Sequence, residues 1–153
     1  MRELYYEDEI KALNKSKIKY LVVGGIAVNL YGLNRFTRDL DLMIDINEEN
    51  LAKFIDLVNK LGYGTKVAID DWKGKVAIAF RHSKEENKQI DVFMKNPIDF
   101  NKAYKKRVTF KVGKANISCV NLDDLIRMKE KADRNRDWID IGYLKKYKRE
   151  GKI

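Results

Sequence analysis

The chain has 153 residues, a length that predicts one globular domain spanning residues 1–153 rather than two domains. Hydrophobic residues make up 44% and charged residues 36%, with a single Pro, which excludes a disordered, collagen-like or Pro-rich chain. The one cysteine, Cys119, excludes an intramolecular disulfide and a cysteine-based zinc site, and favours a cytoplasmic location. No signal-peptide pattern or bilayer-length apolar run occurs, so we expect neither secretion nor a membrane partner.

The charge balance is strongly basic, with 32 Lys and Arg against 23 Asp and Glu and a formal net charge of +9. This balance favours polyanionic partners, although a solvated Lys-rich surface would give the same numbers. Between residues 102 and 114, six cations occur without an acid, and Tyr104 and Phe110 are interleaved among them. The six are Lys102, Lys105, Lys106, Arg107, Lys111 and Lys114. Such a segment is typical of surfaces that hold phosphates and stack a base.

The first half of the chain alternates between helix and strand signals. From the N-terminus these predict a helix over 2–15, a strand over 19–23, a helix over 25–31 and a strand over 37–45. The pair Gly24-Gly25 separates the first strand from the second helix, and Gly32 ends that helix. Asn47 then caps a helix that Gly62 terminates.

The second half predicts two hairpins and three helices. The hairpins comprise strands over 75–82 and 88–94, and strands over 107–112 and 115–120. A short helix follows Pro97, and two helices close the chain, over 122–131 with Asn121 as its cap and over 134–146. The order predicts an α+β fold, with a central mixed sheet and flanking helices.

The most informative stretch lies on the predicted strand over 37–45. Asp39 and Asp41 are two residues apart, so both side chains point to one face of a strand, with Cα atoms roughly 6.5–7 Å apart. Leu40 and Leu42 then point to the core. Two carboxylates at this spacing can share a hard cation, although acids at a strand end are often only solvated.

A third carboxylate, Asp91, lies on the strand over 88–94, where Ile90 and Val92 alternate with it and point to the core. If the two acidic strands are neighbours, three carboxylates crowd one surface and repel one another. A divalent cation removes this repulsion, and all-oxygen ligands suit Mg²⁺ or Mn²⁺.

The pair Gly24-Gly25 lies between a strand and a helix, where the lack of side chains lets a phosphate approach backbone N–H groups. A tight strand-to-helix turn is the alternative interpretation. Arg35, Thr37 and Arg38 come just ahead of the carboxylates, where an arginine can neutralise triphosphate charge.

These residues together resemble a known family. The run Gly24-Gly25-Ile26-Ala27-Val28, then Gly32, then Arg35-Phe36-Thr37-Arg38-Asp39-Leu40-Asp41-Leu42, with Asp91 downstream, is similar to the nucleotidyltransferase superfamily of the DNA polymerase β type. More narrowly, it resembles the small members grouped with AbiEii-type toxins and uncharacterised nucleotidyltransferase-like proteins. The segment over 122–129, followed by Arg134, Arg136, Asp137 and Asp140, resembles the helical end of those proteins.

The resemblance implies that Asp39, Asp41 and Asp91 are catalytic residues that bind metal ions, and that Asp91 also serves as a general base. It implies that Gly24 and Gly25 bind the triphosphate, together with Arg35, Thr37, Arg38 and Lys129. A serine often follows the first glycine in the superfamily; here Gly25 takes that place, so a hydroxyl contact must come from elsewhere, with Thr37 as the candidate. For Lys129 the alternative is a solvated helix lysine.

The implied activity is metal-dependent transfer of NMP from an NTP to a hydroxyl acceptor, namely RNA, with tRNA as the obvious candidate, or a protein. Larger relatives carry a separate helical domain that selects the acceptor, so a partner protein is one expected requirement, and a toxin–antitoxin pair is one implied context. A catalytically silent nucleotide- or RNA-binding module is the alternative. A small-molecule transferase of the aminoglycoside type ranks last, because a pI near 9.5 disfavours a cationic acceptor.

For four other residue types the sequence predicts a structural role rather than a catalytic one. His82, the only histidine, is expected to pack at a turn, and Cys119 is expected to be buried and inert. Trp72 and Trp138 are expected in the core or at an interface, like Tyr5, Tyr6, Tyr31 and Tyr143.

Overall fold

The computed structural model describes residues 4–72 and 74–151, and within them the chain forms seven strands and six α-helices. In chain order these are α1 (Glu7–Lys15), β1 (Tyr20–Val23), α2 (Gly24–Leu30), β2 (Leu40–Ile44), α3 (Glu48–Lys60), β3 (Tyr63–Gly64), β4 (Ala77–His82), β5 (Gln89–Phe93), α4 (Phe100–Lys105), β6 (Val108–Val112), β7 (Ala115–Cys119), α5 (Leu122–Ala132) and α6 (Asn135–Arg149). A short 3₁₀ turn covers Ile69–Asp71. None of the described helices is long and apolar enough to cross a membrane.

The strands form one mixed sheet in the order β3-β4-β5-β2-β1-β7-β6. The pairs β2–β5 and β1–β7 are parallel, and the remaining neighbours are antiparallel. Both predicted hairpins are confirmed, as β4–β5 and β6–β7, and so is the α+β class with a central mixed sheet.

The helices cover the sheet so that one face is closed by apolar packing. Leu40, Leu42, Ile90 and Val92 are fully buried on this face, because strand alternation points them away from the acidic residues. Phe54 of α3 meets Phe80 of β4 edge to face, with 5.6 Å between ring centroids.

Helix caps were predicted well and strand ends less well. Asn47 accepts a hydrogen bond from the Asn50 amide, and Asn121 accepts one from the Asp124 amide, both at 2.9 Å. The strand expected over 37–45 begins only at Leu40, because β1 turns into α2 at Gly24 and offers residues 37–39 no partner. The helix expected over 2–15 begins at Glu7; residues 2 and 3 lie outside the described part of the chain.

The two aromatic rings of the basic segment over 102–114 both contact other side chains of the protein. Tyr104 stacks on Phe100 at 5.4 Å, and the Arg107 guanidinium lies 4.0 Å from its ring centroid. Phe110 meets Tyr31 edge to face at 5.1 Å.

The single histidine and the single cysteine lie as expected. His82 Nδ1 accepts hydrogen bonds from the amides of Lys84 and Glu85, and so holds the β4–β5 turn. Cys119 is fully buried, and burial raises the pKa of its thiol. Trp72 is in the core, whereas Trp138 is half exposed and donates to Asp133.

A buried ion pair connects α1 to the start of β5. Lys88 Nζ lies 3.0 Å from Glu9 Oε2, and the Tyr63 hydroxyl donates to the same oxygen at 2.6 Å. Both charged side chains are almost fully buried. Their attraction therefore offsets a large desolvation cost only while both partners are present.

We expect Lys88→Met to lower the free energy of unfolding by about 3 kcal/mol, because it leaves the Glu9 carboxylate buried and uncompensated. The double variant Glu9→Gln, Lys88→Met should recover most of that loss. Urea unfolding of the three proteins measures both effects, and a single variant within 1 kcal/mol of wild type would contradict this account.

Candidate active site

The three predicted carboxylates meet where β1 ends and where β2 and β5 begin. The parallel pairing of β2 with β5 sets Asp41 directly opposite Asp91, and the antiparallel pairing with β1 sets Asp41 opposite Val23. Asp39 precedes β2 by one residue. All three aspartates line one cavity of about 1010 Å³.

Crowding of these acids changes their protonation. Burial, together with the negative charges of Asp91 and Asp39, raises the pKa of Asp41 to about 7, while the positive charge of Lys129 opposes this rise. The pKa of Asp39 is also raised, by burial and then by Asp91. Near neutral pH the cluster therefore holds a proton in the absence of a cation.

Gly24 is required by both its backbone and its surroundings. Its φ of +68° lies in the left-handed region, and a Cβ at this position would overlap Asp41 Oδ2. The glycine thus lets the backbone at the start of α2 approach the carboxylate directly. A tight strand-to-helix turn, the alternative interpretation, would use the same positive φ at Gly24.

Gly25 faces the side chain of Thr37. A Cβ on Gly25 would overlap the Thr37 hydroxyl oxygen and would lie 3.3 Å from Arg35 Nη2. The hydroxyl expected from Thr37 therefore lies in the space that a side chain at position 25 would need. This arrangement explains why a glycine follows Gly24 in this chain.

Hydrogen bonds fix the segments that carry Asp39 and Asp91. The Tyr6 hydroxyl donates to the Arg38 carbonyl at 2.7 Å and accepts from the Gln89 amide at 3.1 Å, although these residues are distant in sequence. Because Arg38 adjoins Asp39 and Gln89 begins β5, Tyr6, the residue just before α1, connects the segments that carry Asp39 and Asp91. Tyr6 was expected only as a core or interface residue, and nothing in its sequence context indicates this contact.

The orientation of Asp91 is set by its neighbours on β4 and β5. The side-chain Nε2 of Gln89 donates to Asp91 Oδ1 at 2.8 Å, and Arg81 Nε donates to Gln89 Oε1 at 3.0 Å. No role was assigned to Gln89 or to Arg81 from the sequence. The alternation Arg81, Ala79, Ala77 on the same face as Asp91 is the signal that could have found it.

Lys129 is buried, so the alternative of a solvated helix lysine is wrong. Its ammonium lies 2.9 Å from Asp140 Oδ2 and 3.4 Å from Asp137 Oδ1, and it lines the cavity. Arg35 Nη2 reaches the same Asp140 oxygen at 3.0 Å. The network ties α5, α6 and the segment before β2 together beside the carboxylates.

In this network the buried carboxylate of Asp137 is compensated by basic side chains. Burial acts to raise the pKa of Asp137, but hydrogen bonds from Arg134 and the charge of Lys129 together hold that pKa below its usual range. Arg35 Nε, in contrast, is buried and has no acceptor among the described residues. A buried guanidinium N–H at a cavity wall is a binding position for an anionic oxygen.

The cavity as a whole is positive and has one exposed aromatic ring. Seven basic residues line it against four acidic ones. The basic residues are Arg35, Arg38, Arg81, Lys129, Lys131, Arg134 and Arg136. Phe36, between Arg35 and Thr37, also lines it and is 83% exposed. Every residue assigned to nucleotide binding from the sequence lies on this one cavity.

The side chains do not by themselves form a coordination sphere. Among residues 4–72 and 74–151, no group of three or more His, Cys, Asp or Glu side chains is arranged so that it could hold a metal ion. The donor chemistry of Asp39, Asp41 and Asp91 nevertheless fits a hard divalent cation, because these are three oxygen ligands whose mutual repulsion a cation would relieve.

The fold and the cavity define a nucleotidyltransferase-type protein: a mixed sheet with a glycine pair opening a helix at the end of one strand and carboxylates on the next. A family model described as nucleotidyl transferase of unknown function (DUF2204) matches residues 3–153. The chain belongs to this family and is by class a nucleotidyltransferase. No curated protein matches its sequence significantly.

Solved structures share the fold at low sequence identity. A lincosamide antibiotic adenylyltransferase in its lincomycin-bound form aligns over 95% of this chain and 98% of that one, with 20% identity and a TM-score of 0.67. A protein from Thermotoga maritima described as a nucleotidyltransferase aligns over 87% of this chain and 89% of that one, with 15% identity and a TM-score of 0.60. The protein ANT(2")-Ia, solved with adenylyl-2"-tobramycin, aligns over 88% and 82%, with 14% identity and a TM-score of 0.57.

We expect Gly25→Ser to destabilise the protein by about 1–3 kcal/mol, because the added side chain overlaps Thr37. Adding Thr37→Ala should remove part of that cost, because the overlapping hydroxyl is lost while the Thr37 Cβ, 2.9 Å from the added Cβ, stays in place; Thr37→Ala alone should change stability little. A double-mutant cycle on the free energy of unfolding measures the coupling. Additive effects at the two positions would show that the Gly25–Thr37 contact does not limit the site.

The raised pKa of Asp41 predicts an unusual pH dependence of the free energy of unfolding, measured with a metal chelator present. Because the folded protein binds this proton more tightly than the unfolded chain does, the stabilisation is complete below about pH 4 and is lost as pH rises through about 7. Asp41→Asn should flatten this decline and exceed wild type above pH 7 by up to about 4 kcal/mol. Asp56→Asn, on the exposed surface of α3, is the control and should follow wild type.

Proposed function

We propose that this protein, acting as a single nucleotidyltransferase-like domain, transfers NMP from an NTP to a hydroxyl acceptor and releases pyrophosphate. The observation that carries the proposal is the meeting of Asp39, Asp41 and Asp91 beside the glycine-opened N-terminus of α2. The carboxylates supply a cation site, and the basic residues that line the same cavity supply positive charge for a polyphosphate.

In this reaction the acceptor oxygen forms a bond to the α-phosphorus while the bond from that phosphorus to the β-phosphate bridging oxygen breaks. Pyrophosphate leaves with the electron pair, and the hydroxyl proton passes to the Asp91 carboxylate. The hydrogen bond from Gln89 keeps that carboxylate in one orientation. Gly24, Gly25, Thr37 and the guanidinium groups of Arg35 and Arg38 hold the triphosphate.

A divalent cation, Mg²⁺ or Mn²⁺, would be held by Asp39, Asp41 and Asp91. When bound, it would polarise the reacting oxygens and neutralise charge on the leaving pyrophosphate. Lys129 fixes a positive charge at the rear of the site, and its bonds to Asp137 and Asp140 keep it there. Its charge lowers the pKa of Asp41 and so favours the ionised, ligating form.

For the acceptor we propose a hydroxyl of RNA or of a protein. The excess of basic residues around the cavity supports a polyanionic acceptor. Two proteins of the same fold are described with small antibiotics, lincomycin and tobramycin, which makes a small-molecule hydroxyl the second acceptor class to assay. A strongly basic surface disfavours the cationic members of that class.

The proposal predicts that each of Asp39→Asn, Asp41→Asn and Asp91→Asn lowers transfer by at least about 100-fold while the protein stays folded. The assay supplies four α-³²P-labelled NTPs with Mg²⁺ or Mn²⁺ and a cell lysate, and then counts label in RNA, protein and small molecules separately.

Asp56→Asn is the matched control and should retain full transfer, whereas chelator should abolish it. Labelling that appears only with lysate protein present would identify a required partner protein. If no fraction is labelled above the Asp39→Asn background, the chain acts as a silent nucleotide- or RNA-binding module instead.

A further inference from the structure

The direction from which the acceptor enters follows from the sheet order, given the proposed function. In phosphoryl transfer the attacking and leaving oxygens lie roughly in line on opposite sides of the phosphorus. If pyrophosphate leaves toward Gly24 and Gly25 at the end of β1, the acceptor approaches from beyond the carboxylates. Across the sheet, β5 and then β4 lie on that side of β2.

The open face of β4 and β5 offers a flat surface next to Asp91. Ala77 pairs with Phe93, and Ala79 pairs with Asp91 itself. Ala77 is exposed and Phe93 is half-buried, and both line the cavity. Two small side chains beside an aromatic ring leave room for a nucleoside to stack next to the general base.

A second cavity continues from this surface. It has a volume of about 940 Å³ and shares Pro97 and Lys131 with the first cavity. The chain reaches Pro97 four residues after Phe93, the last residue of β5. The two cavities therefore adjoin along the segment that links β5 to α4.

The second cavity presents unpaired positive charge. Lys102 lies in α4 and Lys106 lies at the C-terminal end of that helix, and both line the second cavity. Both side chains are exposed and make no ion pair with any described residue. Its three acids are engaged: Asp99 caps α4, Asp124 bonds Arg127, and Glu130 lies 3.7 Å from Lys145. The electrostatic field there is therefore available to a phosphate backbone.

The structure thus divides the basic segment over 102–114 in two. Lys102 and Lys106 face the cavity that adjoins the carboxylates. Lys111 and Lys114 belong to the β6–β7 hairpin, and β6 is the edge strand farthest from β4 and β5 on the Asp91 side. Of these lysines, only Lys102 and Lys106 can contact a polynucleotide whose end reaches Asp91.

We propose that the acceptor is the hydroxyl end of a single-stranded polynucleotide, with its terminal nucleoside over Phe93 and Ala77. The phosphates that connect this nucleoside to the rest of the polynucleotide pass Lys131 and reach Lys102 and Lys106. The argument rests on continuity and charge together: a small-molecule acceptor would occupy the first cavity and leave the second unused.

The test measures binding without catalysis. A fluorescently labelled single-stranded RNA of twelve nucleotides is titrated with protein in chelator and without NTP, at several salt concentrations, and anisotropy is recorded. We expect Lys102→Gln, Lys106→Gln to weaken binding about tenfold or more and to reduce the slope of log K against log salt by about 1.4, the value for two lost single-strand phosphate contacts.

The matched control is Lys111→Gln, Lys114→Gln, which removes the same charge at the far hairpin and should change binding less than about twofold. Phe93→Ala should weaken binding by about fivefold or more, and Phe93→Trp should restore it, because the loss is one of stacking. Equal weakening by the two lysine pairs, or no RNA binding by wild type, overturns the proposal.

Failure of this inference is distinguishable from failure of the proposed function. If label from NTP enters a small molecule and Lys102→Gln, Lys106→Gln keeps full transfer, nucleotidyl transfer stands and the polynucleotide path is wrong. If RNA binds with the expected lysine dependence but no acceptor is labelled, the path stands and the enzymatic proposal is wrong.

Discussion

The site depends on one constraint, the parallel pairing of β2 with β5 that sets Asp41 against Asp91 in the same register. This pairing forces two carboxylates together beside a third, Asp39, in a partly buried place. The raised pKa of Asp41 reflects the unfavourable free energy of ionising this carboxyl in the folded protein. Such strain persists because the apolar face of the same strands, with Leu42 and Val92 fully buried, stabilises the pairing independently of the acids.

The surroundings of the acids are rigid in ways that complement one another. Gly24 removes the side chain that would displace Asp41, and Gly25 removes the one that would displace the Thr37 hydroxyl. Behind them, Lys129 is held by two almost fully buried aspartates of α6. The site therefore needs α6 as well as the sheet, since loss of either aspartate would leave a buried ammonium partly uncompensated.

Much of this was predictable because it follows from local patterns. Strand alternation placed Asp39, Asp41 and Asp91 on one face, and asparagines at Asn47 and Asn121 marked two helix starts. What sequence reasoning missed depends on contacts between distant segments. The Tyr6 hydroxyl, the relay from Arg81 through Gln89, and the burial of Lys129 each need a partner that only the folded chain supplies. The late start of β2 has the same cause, because strand ends depend on where the neighbouring strand stops.

Lys111 lies on β6, an edge strand of the sheet, and this position gives it a role that does not involve a ligand. An edge strand exposes unpaired backbone N–H and C=O groups to which a strand of another molecule can add. Along β6 the side chains of Thr109 and Lys111 are exposed, whereas Val112 is buried. If a second copy of the chain paired with β6, its Lys111 would approach Lys111 of the first copy, and two positive charges would be buried side by side. The far half of the basic segment thus protects the sheet from growing by edge-to-edge association.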